Sequence, residues 1–333
     1  MPQLLYDSSG VAHAIVTLFN LDDGPNVTYE THSADGVSWS PLVVAVPCLE
    51  AFAELDSAAA DNNPASPFAN TLYASTTQYL NNLGVEVTVS RSTDGGATWQ
   101  LAVAANLPST TGLFSEGFSH LAIGSDGTVY LSAMATPAGS LAPNKMIFTK
   151  SLDGGKTWSP VARVFTATAI TKIPNTPISA GDAPFIAVDN SGGSFAGRLY
   201  MTFYNWTGSF MQVLVTNSSD GGQTWSTPVP VAAATTHDQF LPAISVSSSG
   251  MVAVSWLDRR DDPGNTKYRA YVAFSNGGGA TFSRSISLAS ALSQPVFGIG
   301  VAFNTWLDST LYALWPDTRN GGGLAVALGG YAF

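Results

Sequence analysis

Hydrophobic and polar residues alternate in short runs along the chain. Val85-Glu-Val-Thr-Val-Ser90 and Met211-Gln-Val-Leu-Val-Thr216 have the period of two expected of strands with one covered face. Pro184-Phe-Ile-Ala-Val-Asp189 and Gly197-Arg-Leu-Tyr-Met-Thr-Phe-Tyr204 form a second pair of strand-like runs, parted by a Gly-rich turn. Pro242-Ala-Ile-Ser-Val246 and Met251-Val-Ala-Val-Ser-Trp256 repeat that plan around Ser-Ser-Ser-Gly. No stretch has the period of an amphipathic helix, so the pattern predicts an all-β chain.

One turn recurs. Ser92-Thr-Asp94-Gly-Gly-Ala-Thr98-Trp99 returns as Ser151-Leu-Asp153-Gly-Gly-Lys-Thr157-Trp158 and as Ser218-Ser-Asp220-Gly-Gly-Gln-Thr224-Trp225. Ser33-Ala-Asp35-Gly-Val-Ser38-Trp39 is one residue shorter, and Ser275-Asn-Gly277-Gly-Gly-Ala-Thr281-Phe282 lacks the Asp. The aromatic positions 39, 99, 158, 225 and 282 are 57–67 residues apart. Asp-Gly-Gly supplies positive-φ positions and an Asx-type bond to the following backbone amides, so each copy is expected to join two antiparallel strands. The Trp is expected to fold back and be largely buried. A unit starting at Leu4 and a last unit over 296–303, 310–315 and 324–327 complete the series. Six units of four strands predict one six-bladed β-propeller domain over 1–333, built of four-stranded antiparallel blades.

These turns resemble the Asp boxes, or BNR repeats, of the sialidase superfamily of six-bladed propellers, over nearly the whole chain. The resemblance implies that the boxes are structural and that the active site lies on the opposite face. It would be built from the connections entering each blade and those between second and third strands. The family uses an arginine triad for a carboxylate, an Asp acid/base and a Tyr–Glu nucleophile pair. Its first arginine opens the first blade, where this chain reads Pro2-Gln-Leu-Leu-Tyr6; no arginine precedes Arg91. The sequence departs there from true sialidases, and poor cleavage of a sialic-acid reporter is expected.

Charge narrows the function classes. With 13 Lys+Arg against 23 Asp+Glu, the net charge of −10 argues against nucleic-acid binding. Residues 1–90 hold ten acids and no Lys or Arg. The single Cys, Cys48, cannot form an internal disulfide, and no Cys/His cluster has zinc-ligand spacing, so neither metal nor cofactor is expected. No apolar run has membrane-span length. The Lys-poor, acidic, Ser/Thr-rich composition suggests a secreted monomer whose signal peptide is not part of this chain, although Met1-Pro-Gln-Leu-Leu by itself also fits a cytoplasmic protein.

Projected onto the family's site face, the sequence offers Asp238 and Glu116, then Asp182, as catalytic carboxylates. Arg259, Arg260 and Arg319 would hold an acidic or polyhydroxylated glycan, with Asp22, Tyr79, Trp206 and His237 beside them. Glu54, Asp56 and His120 fall on the same face. The expected function is hydrolysis of a glycosidic bond by paired carboxylates. Arg259→Ala and Arg319→Ala are expected to impair it with little effect on stability. Each residue also has a structural reading. Asp182 and Asp238 precede equivalent strands and would suit loop caps. Trp256-Leu-Asp258-Arg259 and Trp315-Pro-Asp317-Thr-Arg319 resemble one another and would suit ion pairs between blades. The alternatives are a noncatalytic glycan-binding propeller with shallow pockets between blades, a partner-binding propeller, and a polysaccharide lyase using His237 and Arg259.

Overall fold

A computed structural model describes residues 2–19, 26–50, 52–80, 84–105, 113–137, 145–178, 180, 184–232, 236–295, 303–319 and 325–332. The fold is a six-bladed β-propeller. The chain divides into two compact units, 1–165 and 166–333. No helix occurs among the described residues, and none is therefore long and apolar enough to cross a membrane.

In the first unit, blade one pairs β1 (Gln3–Tyr6), β2 (Ala12–Leu18), β3 (Val27–Ser33) and β4 (Val43–Val46) in order. Blade two follows with β5 (Phe52–Ala60), β6 (Leu72–Leu80), β7 (Gly84–Ser92) and β8 (Gln100–Ala105). Blade three has β9 (Leu113–Ile123), β10 (Val129–Pro137), β11 (Lys145–Ser151) and β12 (Ala162–Thr166). In the second unit, blade four has β13 (Phe185–Val188), β14 (Leu199–Trp206), β15 (Met211–Ser218) and β16 (Val229–Pro230). Blade five has β17 (Gln239–Val246), β18 (Val252–Asp258), β19 (Arg269–Ser275) and β20 (Ile286–Ser287). Blade six shows β21 (Phe303–Leu307), β22 (Thr310–Asp317) and β23 (Ala325–Ala332) among the described residues. The strand expected over 296–303 is described only from Phe303 onward.

Within each unit the first strands of successive blades pack side by side: β1 on β5, β5 on β9, β13 on β17, β17 on β21. Apolar clusters fill the space between blades, such as Tyr73, Val87, Val89, Leu121, Leu131 and Ile147 between blades two and three. The second strands of blades two, four and five are largely buried on both faces. β18 is buried throughout, which fits its mostly apolar sequence, Val252-Ala-Val-Ser-Trp-Leu257.

The repeated turn is a hydrogen-bonded knot. In blade two, Ser92 Oγ donates to Asp94 Oδ1 at 2.8 Å and accepts the Gly96 amide at 2.9 Å. Thr98 gives its amide and hydroxyl to the same Asp, at 2.9 and 2.5 Å. Blades three and four repeat the set around Asp153 and Asp220. These bonds hold the exposed Asp220 carboxyl down at about 2, the Thr224 hydroxyl contributing most. The Trp residues are less covered than expected. Trp99, Trp158 and Trp225 are half-buried and Trp39 is 42 % exposed. The physical reason is visible in blade two, where Trp99 bonds its own turn, Nε1 to Gly96 O at 3.1 Å, and packs only one side against the core.

Candidate functional site

The sequence-selected residues fall into two groups, one in each unit. Asp22 and Asp182 lie outside the described residues.

In the first unit, bulges re-aim the side chains at the strands' start. In β5, Leu55 pairs with Thr76 and Ser57 with Ser75, so Asp56 is the extra residue of a bulge. β9 carries a similar irregularity between Gly117 and His120, where Phe118 has φ 51°. The two bulges meet. Ser119 donates its amide (3.0 Å) and hydroxyl (2.7 Å) to Asp56 Oδ2, and Thr77 Oγ1 donates to the same oxygen at 2.8 Å. Thr77 Oγ1 also accepts the Phe118 amide at 3.2 Å.

Burial pushes the Asp56 carboxyl up to about 7, against the lowering effect of the Ser119 and Thr77 bonds; the charge of Glu54 adds to the rise. All three donors reach Oδ2. Glu54 lies opposite Thr77 on β6, and Phe52 lies opposite Tyr79. Tyr79 is 37 % exposed and meets the Phe52 ring edge-on at 5.5 Å, and Phe52 in turn meets Phe19 at 6.0 Å. An open aromatic surface thus begins at the end of the strands that carry Glu54 and Asp56. Glu116 is on β9, three residues before Ser119, so its backbone belongs to the strand that holds Asp56. Sequence reasoning placed Asp56 on the site face but ranked other carboxylates above it. The burial that singles it out comes from a strand sixty-three residues away.

In the second unit, Asp238 and Arg259 are brought together, both fully buried, at 3.0 Å. Asp238 Oδ1 accepts the Met211 amide at 2.9 Å, and Oδ2 accepts Arg259 Nη1 and Asn265 Nδ2 (2.7 Å). Arg259 Nη1 also donates to Pro174 O at 2.7 Å, and its guanidinium lies over the Phe240 ring at 5.2 Å. Met211 opens β15 of blade four, so Asp238 ties blade five to its neighbour. Both of its oxygens are taken up by protein donors, so its contacts are those of a structural anchor. The burial of Arg259 also reverses the expectation that its loss leaves stability unchanged.

Arg260 and Arg319 occupy equivalent places. Asp258 Oδ1 accepts the Arg260 amide at 2.8 Å and Oδ2 its guanidinium at 2.5 Å. Asp317 Oδ1 accepts the Arg319 amide at 2.8 Å and Oδ2 its Nε at 2.5 Å. Burial alone would raise the Asp317 carboxyl, but the Arg319 bonds and Ser293 hold it below the ordinary range. Each Trp-x-Asp-x-Arg element thus holds an ion pair within one loop, and in blade six Asp317 and Arg319 also bond Ser293 and Ser290 of the segment that follows β20 of blade five. Each arginine remains about a quarter exposed. His237 is half-buried beside Thr236, and Trp206 is half-buried against the apolar cluster that contains Phe240, Tyr268 and Trp315.

A cavity of about 850 Å³ lies between blades four and five, at their outer strands β16 and β20. Arg260, Asp261, Tyr271, Phe282 and Arg284 are among its lining residues; Asp238, Arg259 and Trp206 are not.

Similarity to known proteins is structural. No family model matches the chain, and no curated protein matches it in sequence. A protein of unknown function from Dyadobacter fermentans is 14% identical, covers 99% of this chain and 93% of its own, and has a TM-score of 0.64. The α-L-arabinofuranosidase Arb93A from Fusarium graminearum is 14% identical, over 99% of this chain and 92% of its own, with a TM-score of 0.63. A Hadza microbial sialidase is 15% identical, with a TM-score of 0.59; the match spans all of this chain but 65% of the sialidase. At these identities the likeness is one of fold.

Proposed function

We propose that the protein is a glycoside hydrolase that uses Asp56 as its proton donor. The observation that carries this is the Asp56 carboxyl pushed up to about 7 at a strand bulge. A carboxylic acid that keeps its proton near neutrality is what protonation of a departing glycosidic oxygen needs. The proton would pass from the Asp56 carboxyl to that oxygen as the C–O bond breaks. Glu116, on the strand that carries Ser119, supplies the second carboxylate that both glycosidase mechanisms need. Tyr79 and Phe52 offer an aromatic face against which a sugar ring stacks. Solved structures with this fold include sialidases and an α-L-arabinofuranosidase, which supports a glycan as substrate. Residues 1–90 contain no arginine, which favours a neutral sugar over a sialic acid.

The test is a panel of aryl glycosides, including an α-L-arabinofuranoside and a sialic-acid reporter, with Asp56→Asn and Glu116→Gln as controls. Turnover lost in both variants supports the proposal. Turnover unchanged by Asp56→Asn overturns it.

A second reading, glycan binding without turnover, is favoured by the cavity between blades four and five, where Tyr271 and Phe282 stand with Arg260 and Arg284. Oligosaccharide binding that survives Asp56→Asn and is lost in Arg284→Ala would select it.

A further inference from the structure

A cluster of ionisable groups in blade one has no part in the chemistry above. His13 on β2 and His32 on β3 are direct cross-strand partners, so both side chains leave the sheet on one face. Glu30 precedes His32 by two residues and shares that face. One ligand atom from each of the three lies within 4.8 Å of the others. His13 is 1% exposed and Glu30 fully buried. The Nδ1 atoms of both histidines converge on one carboxylate oxygen, Oε1 of Glu30, at 2.8 Å for His13 and 3.3 Å for His32.

We propose that His13, Glu30 and His32 form a structural site for one divalent transition-metal ion of the zinc type. Two buried polar atoms in the cluster, Glu30 Oε2 and His13 Nε2, have no hydrogen-bond partner among the described residues. A buried carboxylate is stabilised by nearby positive charge, and among the described residues the ion-pair partners of Glu30 are His13 and His32. An ion between the three side chains supplies that charge.

The surroundings suit ligation. Asp7 Oδ1 accepts the amides of Ser9 and Val11, at 2.8 and 2.9 Å, and Oδ2 faces His13 Nε2 at 3.6 Å. A histidine that ligates through one nitrogen and directs the other toward a carboxylate is the usual outer support of a metal ligand. Zinc-to-ligand distances near 2.0–2.1 Å put tetrahedral ligand atoms about 3.4 Å apart. His32 Nδ1 already stands 3.3 Å from Oε1, and His13 needs a small outward shift. Ser40 Oγ lies 3.2 Å from His32 Nδ1. The blade-two turn closes the site from above: a Cβ at Gly96 would come within 2.7 Å of the Glu30 carboxyl. His32, 36% exposed, leaves an entry path. Two imidazoles and one carboxylate suit zinc, cobalt or nickel, whereas calcium and magnesium prefer oxygen ligands alone.

The experiment uses the full chain, stripped with a chelator and titrated with Zn²⁺, Co²⁺ and Ca²⁺. One equivalent of Zn²⁺ is expected to bind and raise the melting temperature, with no rise from Ca²⁺. Co²⁺ is expected to give the intense visible bands of a tetrahedral site. His32→Ala, at a half-exposed position, is expected to abolish this binding. Asp7→Asn keeps the turn-capping oxygen and is expected to weaken it by roughly 10- to 100-fold. Zn²⁺ binding absent from the wild type, or equal in wild type and His32→Ala, overturns the proposal. If His32→Ala does not fold, the wild-type Co²⁺ spectrum decides: tetrahedral bands support the site, and the weak bands of hydrated Co²⁺ overturn it.

Discussion

Ser119 gives both its amide and its hydroxyl to one oxygen of Asp56, at 3.0 and 2.7 Å. These bonds favour the ionised carboxylate, and burial outweighs them. Removing the hydroxyl with Ser119→Ala should therefore raise the Asp56 carboxyl further. If Asp56 is the proton donor, activity falls as pH rises through its pKa. The alkaline limb of the pH–rate profile, expected near pH 7, should move upward in Ser119→Ala.

Asp56 also makes stability depend on pH. A carboxyl raised from 3.8 to about 7 on folding binds its proton more tightly in the folded state. Stability is then unaffected below about pH 4, falls as pH rises from 4 to 7, and levels off above that. The full loss is on the order of 4 kcal/mol, from about three pKa units at 1.36 kcal/mol each. Asp56→Asn should flatten this part of the profile. Urea midpoints measured between pH 4 and pH 8 check it.

The arginines should separate by stability. Arg259→Ala leaves Asp238 charged and buried, and a loss of about 3–5 kcal/mol is expected. Arg319→Ala breaks a pair whose arginine is about a quarter exposed and whose Asp317 keeps the Ser293 bond, and should cost less than Arg259→Ala. Equal melting temperatures for the two variants would contradict this assignment.

Gly96 sits at φ 94° with the Glu30 carboxyl where a Cβ would project. Gly96→Ala should cost roughly 1–3 kcal/mol through backbone strain, and more from the contact. Gly95, at φ 70° with open space around it, should show the strain alone, so Gly95→Ala is the comparison to measure by chemical denaturation.

Much of the fold was legible in the sequence because a propeller is a local repeat. The run Ser92 to Trp99 contains every group of its own turn network, so spacing alone reveals a hairpin. The Trp-x-Asp-x-Arg elements suggest ion pairs between blades or substrate contacts from sequence, whereas Asp317 and Arg319 pair two residues apart within one loop. The site was less legible. Asp238 immediately precedes β17 and Asp56 lies within β5, and sequence ranks Asp238 above Asp56. One is saturated by Arg259 and Asn265, while the other is buried under Ser119.

The sequence by itself determined the strands, their turns and their number, because hydrogen-bonding partners within a hairpin are neighbours along the chain. Tertiary structure alone decided which charges are buried and what faces them. Desolvation depends on residues from other strands and blades, as Ser119 lies over Asp56 and Gly96 over Glu30. The pairing of His13 with His32 is of the same kind. Nineteen residues separate them in sequence, a spacing with no meaning until the register of β2 on β3 sets them side by side.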